Sequence, residues 1–188
     1  MNIKKIQSAL KVDKKGFSLI EMISVMFIMA IITTVSIANY SGGDDELKVK
    51  LEAHKIATSF RDVQSKAMGA VEYGGNIPSG GWGIHIDVND DNYRIFANEN
   101  YNDGENLQYD FGESNELDGG ETIKLSREIE ILSTNFGDVV DITFVPPDPT
   151  VHIYNGVATT TEVEISLIHN GIIKKVLVNY FGLVEVLD

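Results

Sequence analysis

The sequence of 188 residues contains no cysteine. Without cysteine there is no disulfide framework, so a domain outside the cytosol has to be held together by packing alone. The same absence excludes thiol chemistry and cysteine-based zinc sites. A hydrophobic content of 43% is sufficient for a core. The chain length suits one membrane-associated segment and one compact domain.

Basic residues are scarce beyond the first 16 positions. The chain has 15 basic and 28 acidic residues and a formal net charge of −13. Residues 1–16 contain five lysines against Asp13, so residues 17–188 hold 10 basic and 27 acidic residues, a balance of −17. An acidic body is a poor match to nucleic acid, which is bound through Lys and Arg. We therefore do not expect nucleic acid to be a partner.

One long apolar run follows the lysine-rich head. Residues 22–43 contain no charged side chain, and Glu21 is a single carboxylate at the start of the run. The apolar length is near the ~20 residues that a bilayer needs. The positive-inside rule then predicts a cytoplasmic N-terminus and an exported body. A secretory signal cleaved after Ala38 and a simple uncleaved anchor are alternatives, but neither explains a carboxylate in a membrane segment.

The stretch KKGFSLIEMISVMFIMAII, residues 14–32, resembles the class III signal of type IV prepilins and type II secretion pseudopilins. In that family a basic leader ends in glycine, a prepilin peptidase cuts after it on the cytoplasmic side, and the new N-terminus is methylated. The resemblance implies that Gly16 ends the leader and that Phe17 becomes the methylated first residue. It also implies that Glu21 pairs with the N-terminal amine of a neighbouring subunit.

The resemblance implies partners and a location as well. The partners would be other pilin or pseudopilin subunits, the prepilin peptidase and the assembly platform of the inner membrane. The chain would cross the inner membrane once, with its N-terminus cytoplasmic and its C-terminal domain exported. On assembly it would enter a filament.

The pattern after the apolar run predicts an amphipathic helix over residues 44–73. Gly42 and Gly43 weaken the preceding helix, and Asp44 is a suitable N-cap for a new start. Apolar residues then recur at steps of three and four, which is typical of one buried helix face. The stripe consists of Val49, Ala53, Ile56, Ala57, Phe60, Val63, Ala67 and Val71. We expect this face to pack on its own domain, and a coiled coil is the alternative.

The remaining residues, 74–188, change to a period of two, which predicts strands. The predicted strands are 82–88, 93–97, 122–125, 128–132, 140–145, 151–154, 162–169, 172–179 and 183–187. Asn170-Gly171 is a pair favoured in tight hairpin turns. The order predicts an α+β fold, in which a long N-terminal helix packs on an antiparallel sheet or sandwich domain. The chain thus divides into a leader (1–16), an apolar helix (17–43), an amphipathic helix (44–73) and a β domain with an acidic loop (74–188).

Two stretches of the β domain extend the resemblance. The stretch GWGIHIDVNDDNYRIFANENYNDGENLQYDFGE, residues 81–113, is similar to the middle of H-type pseudopilins and FimT-like minor pilins. The stretch EISLIHNGIIKKVLVNYFGLVEVL, residues 164–187, is similar to the final strands of that group. The resemblance implies a minor pseudopilin of type II secretion or a minor type IV pilin. A major fibre-forming pilin is one alternative, and a membrane-anchored binding module for an exported ligand or DNA is an alternative of another class.

The pattern of histidines and serines does not indicate an enzyme. Four histidines lie scattered at positions 54, 85, 152 and 169. His85 lies between two isoleucines on an alternating strand, so we expect it to point away from the core. We find no glycine-framed serine nucleophile, phosphate-binding loop or paired metal-histidine motif. We therefore predict no catalytic residues.

An oxygen-rich region in the β domain has two interpretations. Oxygen ligands in loops suit Ca²⁺, and the candidate ligands are Asp87, Asn89, Asp91, Asp103, Asp110 and Glu113. However, the EF-hand pattern fails, because a loop counted from Asp87 has Asn92 and Asn98 where glycine and glutamate are required. Asp and Asn are also ordinary turn residues. A calcium site and a solvated loop without cofactor both stay open.

The leader junction generates a direct prediction. Mature protein from the native host should begin at Phe17 and carry an added methyl group on its amine, because a peptidase acting between Gly16 and Phe17 leaves the apolar run attached. Intact-mass and N-terminal analysis check this. Cleavage after Ala38, or no cleavage, would contradict the resemblance to prepilins.

Overall fold

The computed structural model describes residues 16–98, 109, 121–146 and 151–187, with the backbone alone described at 38–43. The chain forms two compact units, residues 1–42 and 43–188. One helix, α1, spans Leu19–Met68 and contributes to both units. The helical conformation continues through residues 41–43, where the glycines predicted a weak point.

Helix α1 ends at Met68, before the limit of 73 expected from the apolar pattern. Ala70 adopts a left-handed conformation, with φ of 47°. The N–H of Val71 donates to the carbonyl of Lys66 at 3.0 Å, which closes the helix end as in a Schellman motif. Val71 therefore lies beyond the helix, and 41% of its surface is exposed. Its inclusion in the buried stripe was wrong.

The residues that the structure describes form ten strands in two antiparallel sheets, which confirms the α+β fold class. The six-stranded sheet has the order β3-β2-β1-β5-β6-β7, and the four-stranded sheet has the order β10-β9-β8-β4. The strands are β1 (Gly81–Asp87), β2 (Asn92–Asn98), β3 (Thr122–Lys124), β4 (Glu130–Thr134), β5 (Val139–Phe144), β6 (Val151–Tyr154), β7 (Thr159–Thr160), β8 (Glu162–His169), β9 (Ile172–Asn179) and β10 (Val184–Leu187).

The strand boundaries agree with the alternation pattern at most positions. Strands β6, β8 and β9 have the predicted limits. The β8–β9 connection is the tight turn predicted from Asn170-Gly171, with φ of 48° and 80°. Strand β4 begins two residues later than predicted, because Glu128 has a φ of 79° and cannot continue a strand. The sequence pattern did not predict β7, which has only two residues.

One hydrophobic core lies within residues 43–188. The stripe of α1 contributes seven residues, each at most 2% exposed, and these are Val49, Ala53, Ile56, Ala57, Phe60, Val63 and Ala67. They share the core with alternate residues of both sheets, such as Ile84 of β1 and Ile165 of β8. Because the cluster draws every member from residues 49–184, we expect the body, residues 43–188, to fold without the apolar segment.

Gly83 of β1 makes room for an aromatic ring on the neighbouring strand. It lies opposite Phe96 of β2, and Phe96 is 1% exposed. A β-carbon at position 83 would lie 2.7 Å from Cε1 of the Phe96 ring and closer still to Cζ. Alanine at this position therefore requires the buried ring to move.

We predict that Gly83→Ala destabilises the body by about 1–3 kcal/mol, the usual cost of overpacking a core. Urea unfolding of residues 43–188 measures the free energy of unfolding. The cost should be smaller in a Phe96→Leu background, because the shorter side chain leaves space for the added methyl group. Equal costs in the two backgrounds would mean that the ring does not cause the strain.

Candidate membrane and assembly site

The segment Leu19–Ile37 of α1 is long and apolar enough to cross a membrane. Its large apolar side chains are between 50% and 77% exposed, so the described part of this unit has no core of its own. An exposed apolar surface of this extent is typical of contact with lipid or with other proteins. The segment therefore needs an apolar environment that the described chain does not supply.

The hydroxyl groups within this segment are hydrogen-bonded to its own backbone. The side chains of Ser24, Thr33, Thr34 and Ser36 each donate to the carbonyl oxygen four residues earlier, at 2.8–2.9 Å. An unpaired hydroxyl group in an apolar medium would cost free energy. These four side chains are therefore compatible with lipid or with an apolar protein core.

Glu21 lies in the first turn of α1. Its backbone N–H donates to the side-chain oxygen of Ser18 at 3.2 Å, so Ser18 is the N-cap. The Ser18–Glu21 spacing is the signature of a capping box, and this signal identifies Ser18, which the sequence analysis had missed. A carboxylate in the first turn also interacts favourably with the helix dipole.

The Glu21 carboxylate has no full counter-charge in the part of the chain that the structure describes. It is exposed, and no described side chain forms an ion pair or hydrogen bond with it. The helix terminus supplies only a partial positive charge. A cation from another molecule therefore has a place to bind, which is what the assembly role requires. The role itself stays a prediction.

Gly16 and Phe17 precede α1 and are both exposed. A β-carbon on Gly16 would meet no atom within 4 Å, so packing gives no reason for glycine at this position. Phe17 is 76% exposed. The junction is thus accessible, as cleavage and methylation would require, and both modifications remain predictions.

His85 lies on the face of β1 opposite its neighbouring isoleucines, as the alternation predicted, but it is not open to solvent. Its Nδ1 lies 2.6 Å from Oδ1 of Asp141, and its ring centroid lies 4.6 Å from that of Tyr109. Asp141 is 5% exposed. A carboxylate orients histidine in many hydrolases, but a nucleophile is also needed. The described contacts of the His85 ring are with this carboxylate and this aromatic ring, and Arg94 lies opposite it in the β1–β2 ladder.

A second polar cluster joins the start of the body to the β8–β9 turn. Buried His169 contacts the carbonyl of Glu128 through Nδ1 at 2.7 Å and Oδ1 of Asp45 through Nε2 at 3.2 Å. Asn170 donates to Oδ2 of Asp45 at 3.0 Å, and the Lys48 ammonium lies 3.3 Å from Oδ1. The hydrogen bond from Asn170 is the largest effect and lowers the pKa of Asp45, against partial desolvation.

The calcium candidates lie partly at the β1–β2 turn. Oδ1 of Asp87 accepts hydrogen bonds from the backbone N–H of Asn89 at 2.9 Å and from its side-chain amide at 3.0 Å, so both residues build the turn. Three candidates lie outside the described residues: Asp103, Asp110 and Glu113. Among the residues with described positions, no group of three or more acidic or histidine side chains is placed to hold a metal ion. Calcium binding stays a prediction.

Comparison with known proteins identifies the N-terminal region. Residues 12–37 match the family model of the prokaryotic N-terminal methylation motif. No curated protein and no solved structure matches the chain. The motif includes the junction at Gly16, the carboxylate of Glu21 and the apolar helix. It supports the type IV pilin or pseudopilin class, which indicates a structural subunit rather than an enzyme and is consistent with single-pass anchoring in the inner membrane.

The cluster around Asp45 generates a prediction on acid stability. Asn170→Gly should raise the pKa of Asp45 toward 3.8, because the hydrogen bond from the amide is lost while glycine keeps the left-handed turn. A carboxyl group with a depressed pKa stabilises the fold above its unfolded pKa, and this stabilisation disappears as pH falls through the folded pKa. The variant should therefore lose stability at a higher pH than the wild type.

NMR titration of the Asp45 carboxyl carbon in the body measures this pKa directly, and thermal unfolding across the acidic range measures the stability. Asn89→Gly is a matched control, because it removes an amide from a different turn. Identical Asp45 titrations in the Asn170→Gly variant and the wild type would contradict the proposed cause of the shift.

Proposed function

We propose that this chain is a structural subunit of a type IV filament machine, and more specifically a minor pseudopilin of type II secretion or a minor type IV pilin of the H-type or FimT-like group. One observation carries the proposal. Within the methylation motif, an accessible Gly16–Phe17 junction precedes an exposed apolar helix whose one carboxylate has no described counter-charge. The apolar helix holds the subunit in the inner membrane, with the body exported.

Cleavage after Gly16 creates the cation that the site lacks. The new amine of Phe17 is positively charged and lies at the start of the same apolar helix. When helices of several subunits pack together, the amine of one subunit reaches the Glu21 carboxylate of its neighbour. A buried carboxylate is strongly unfavourable when alone and tolerable when paired. Pairing therefore favours the assembled helix over the single one.

The exposed apolar surface of the helix explains why packing into a filament can compete with staying in the lipid bilayer. Lipid and packed helices both supply an apolar environment, so little hydrophobic free energy separates the two states. Van der Waals packing and the pairing of the single charge then decide the outcome. In this view the body, residues 43–188, is the part that specifies which other subunits are contacted.

Two alternatives differ in measurable ways. A major fibre-forming pilin would have the same N-terminal region, and the copy number in purified filaments separates it from a minor subunit. A membrane-anchored module for DNA uptake would need accessible basic residues. The paired lysines near the C-terminus form ion pairs instead, Lys174 with Glu46 at 3.2 Å and Lys175 with Glu164 at 2.7 Å. A DNA titration of the body at low salt tests this alternative.

We predict that Glu21→Ala impairs entry into filaments at least about tenfold, since an unpaired buried charge costs several kcal/mol. The substitution removes the carboxylate and leaves the amine of the neighbour unpaired. Glu21→Asp should be intermediate at best, because its side chain is one methylene shorter. Membrane insertion and leader cleavage should be retained, because the leader, Gly16 and the apolar run are unchanged. Processing and filament incorporation are measured separately in the native host.

Ser24→Ala is a matched control for this experiment. It also removes a polar group from the first turns of the helix, but among the described residues that group is bonded to the carbonyl of Ile20 alone. We expect Ser24→Ala to enter filaments as the wild type does. Wild-type incorporation of a processed Glu21→Ala variant would show that the carboxylate does not serve assembly.

A further inference from the structure

The turn between β9 and β10 carries an exposed apolar group that the fold does not need. We call Tyr180, Phe181 and Leu183 the aromatic tip. They are 42%, 83% and 47% exposed, respectively. The two aromatic rings lie edge to face, with centroids 5.7 Å apart. Most of the Phe181 side chain is in solvent, so burial of this ring contributes little to the stability of the fold.

The hydrogen bonds of this turn hold the aromatic tip in a defined shape. Oδ1 of Asn179 accepts hydrogen bonds from the N–H groups of Phe181 and Leu183, both at 3.0 Å. The N–H of Gly182 donates to the carbonyl of Asn179 at 2.9 Å. Gly182 has a φ of 78°, which glycine adopts without strain. One side chain thus satisfies two backbone donors of the turn.

Two further hydrogen bonds attach the turn to neighbouring segments. The N–H of Tyr180 donates to the carbonyl of Thr161 at 2.7 Å, and the N–H of Val151 donates to the carbonyl of Tyr180 at 3.1 Å. Binding through a rigid element loses less conformational entropy than binding through a flexible loop. The aromatic tip is therefore already organised for insertion into a complementary pocket.

A single exposed apolar residue would not support such an inference. Val157 in the β6–β7 turn is 88% exposed; single exposed apolar residues are common on protein surfaces. The aromatic tip differs because two rings and a leucine lie together on one hydrogen-bonded turn. Aromatic side chains that fill pockets are typical centres of protein interfaces.

The charges beside the aromatic tip indicate the kind of partner. Glu162 lies opposite Asn179 in the β8–β9 ladder, and Glu185 follows Leu183 by two residues. Both glutamates are exposed. Residues 17–188 also have a net charge of −17. A second copy of the chain and an anionic lipid surface would both be repelled, whereas a protein surface with basic residues would be attracted.

We infer that the aromatic tip inserts Phe181 into an apolar pocket, bordered by Lys or Arg side chains, on a different protein subunit of the same filament machine. This inference rests on the proposed function and names one contact through which the body is recognised. Phe181 is the anchor, Tyr180 and Leu183 line the contact, and Glu162 and Glu185 face the basic border.

The experiment uses the full chain in its native host. Phe181 is replaced by the photo-crosslinking residue p-benzoylphenylalanine, cells are irradiated, and crosslinked species from the membrane and filament fractions are identified by mass spectrometry. The same residue at position 157 is the matched control. We expect one crosslinked protein at position 181, different from this chain and recovered in the filament fraction, and no such product at position 157. Crosslinks to lipid alone, to a second copy, or to nothing would overturn the inference.

Phe181→Ser gives an independent measurement, with Val157→Ser as its control. Co-purification of the crosslinked subunit in mild detergent should fall about tenfold or more for Phe181→Ser, as for other aromatic anchors. Val157→Ser should behave as the wild type. Both variants should unfold at the wild-type temperature, because neither side chain is buried. Unchanged co-purification for Phe181→Ser would overturn the inference.

The two proposals fail in different ways. If the wild type enters filaments and Glu21→Ala does not, the proposed function stands whatever the result at Phe181. If the wild type is neither cleaved after Gly16 nor found in filaments, the proposed function fails, and the inferred partner fails with it. If filament entry is normal but position 181 gives no crosslink and Phe181→Ser co-purifies as the wild type does, only the inference on the aromatic tip is rejected.

Discussion

The structure depends on one packing interaction, in which the apolar stripe of α1 shares a single core with both sheets. Residues such as Ile56 and Phe60 are at most 1% exposed and belong to the same cluster as Ile84 and Ile165. Removing the stripe would expose apolar area of this shared core to water. The same helix begins as an exposed apolar segment. One element therefore contributes buried residues to the core and an apolar surface that the described chain leaves exposed.

The parts of the fold that follow local rules could be predicted from the sequence. These parts depend on residues close together in the chain. They are the helical stripe, the strand pair joined by Asn170-Gly171 and the apolar helix that follows Glu21. One of the parts that were missed depends on a distant contact. The Asp141 partner of His85 comes from β5, 56 residues further on, and no local pattern announces a pairing over that distance. Another miss is local: α1 ends where Ala70 adopts a left-handed conformation, although the high helix propensity of alanine favours a longer helix.

The carboxylates of the chain include groups with polar partners in the fold and one group without a described partner. Asp45 accepts a hydrogen bond from Asn170 and lies beside the Lys48 ammonium and Nε2 of His169, all within the same unit. Glu52 is almost fully buried and is bonded to Lys55 and Ser126. Their charges are satisfied by the fold, whereas the carboxylate of Glu21 is not satisfied by any described residue. The difference separates groups that stabilise a subunit from a carboxylate for which we propose a partner in another subunit.

The internal hydrogen bonds of the hydroxyl groups along the apolar helix have a consequence for specificity. Because Ser24, Thr33, Thr34 and Ser36 direct their protons to their own backbone, the outer surface of the helix offers neighbours almost no polar feature to recognise. Such a surface tolerates rotation and sliding against other helices at little cost. The carboxylate of Glu21, in the first turn, is then the one charged group along the apolar segment Leu19–Ile37. In the proposed assembly this charge would fix how far one helix is displaced along another, while many different helices would remain acceptable neighbours.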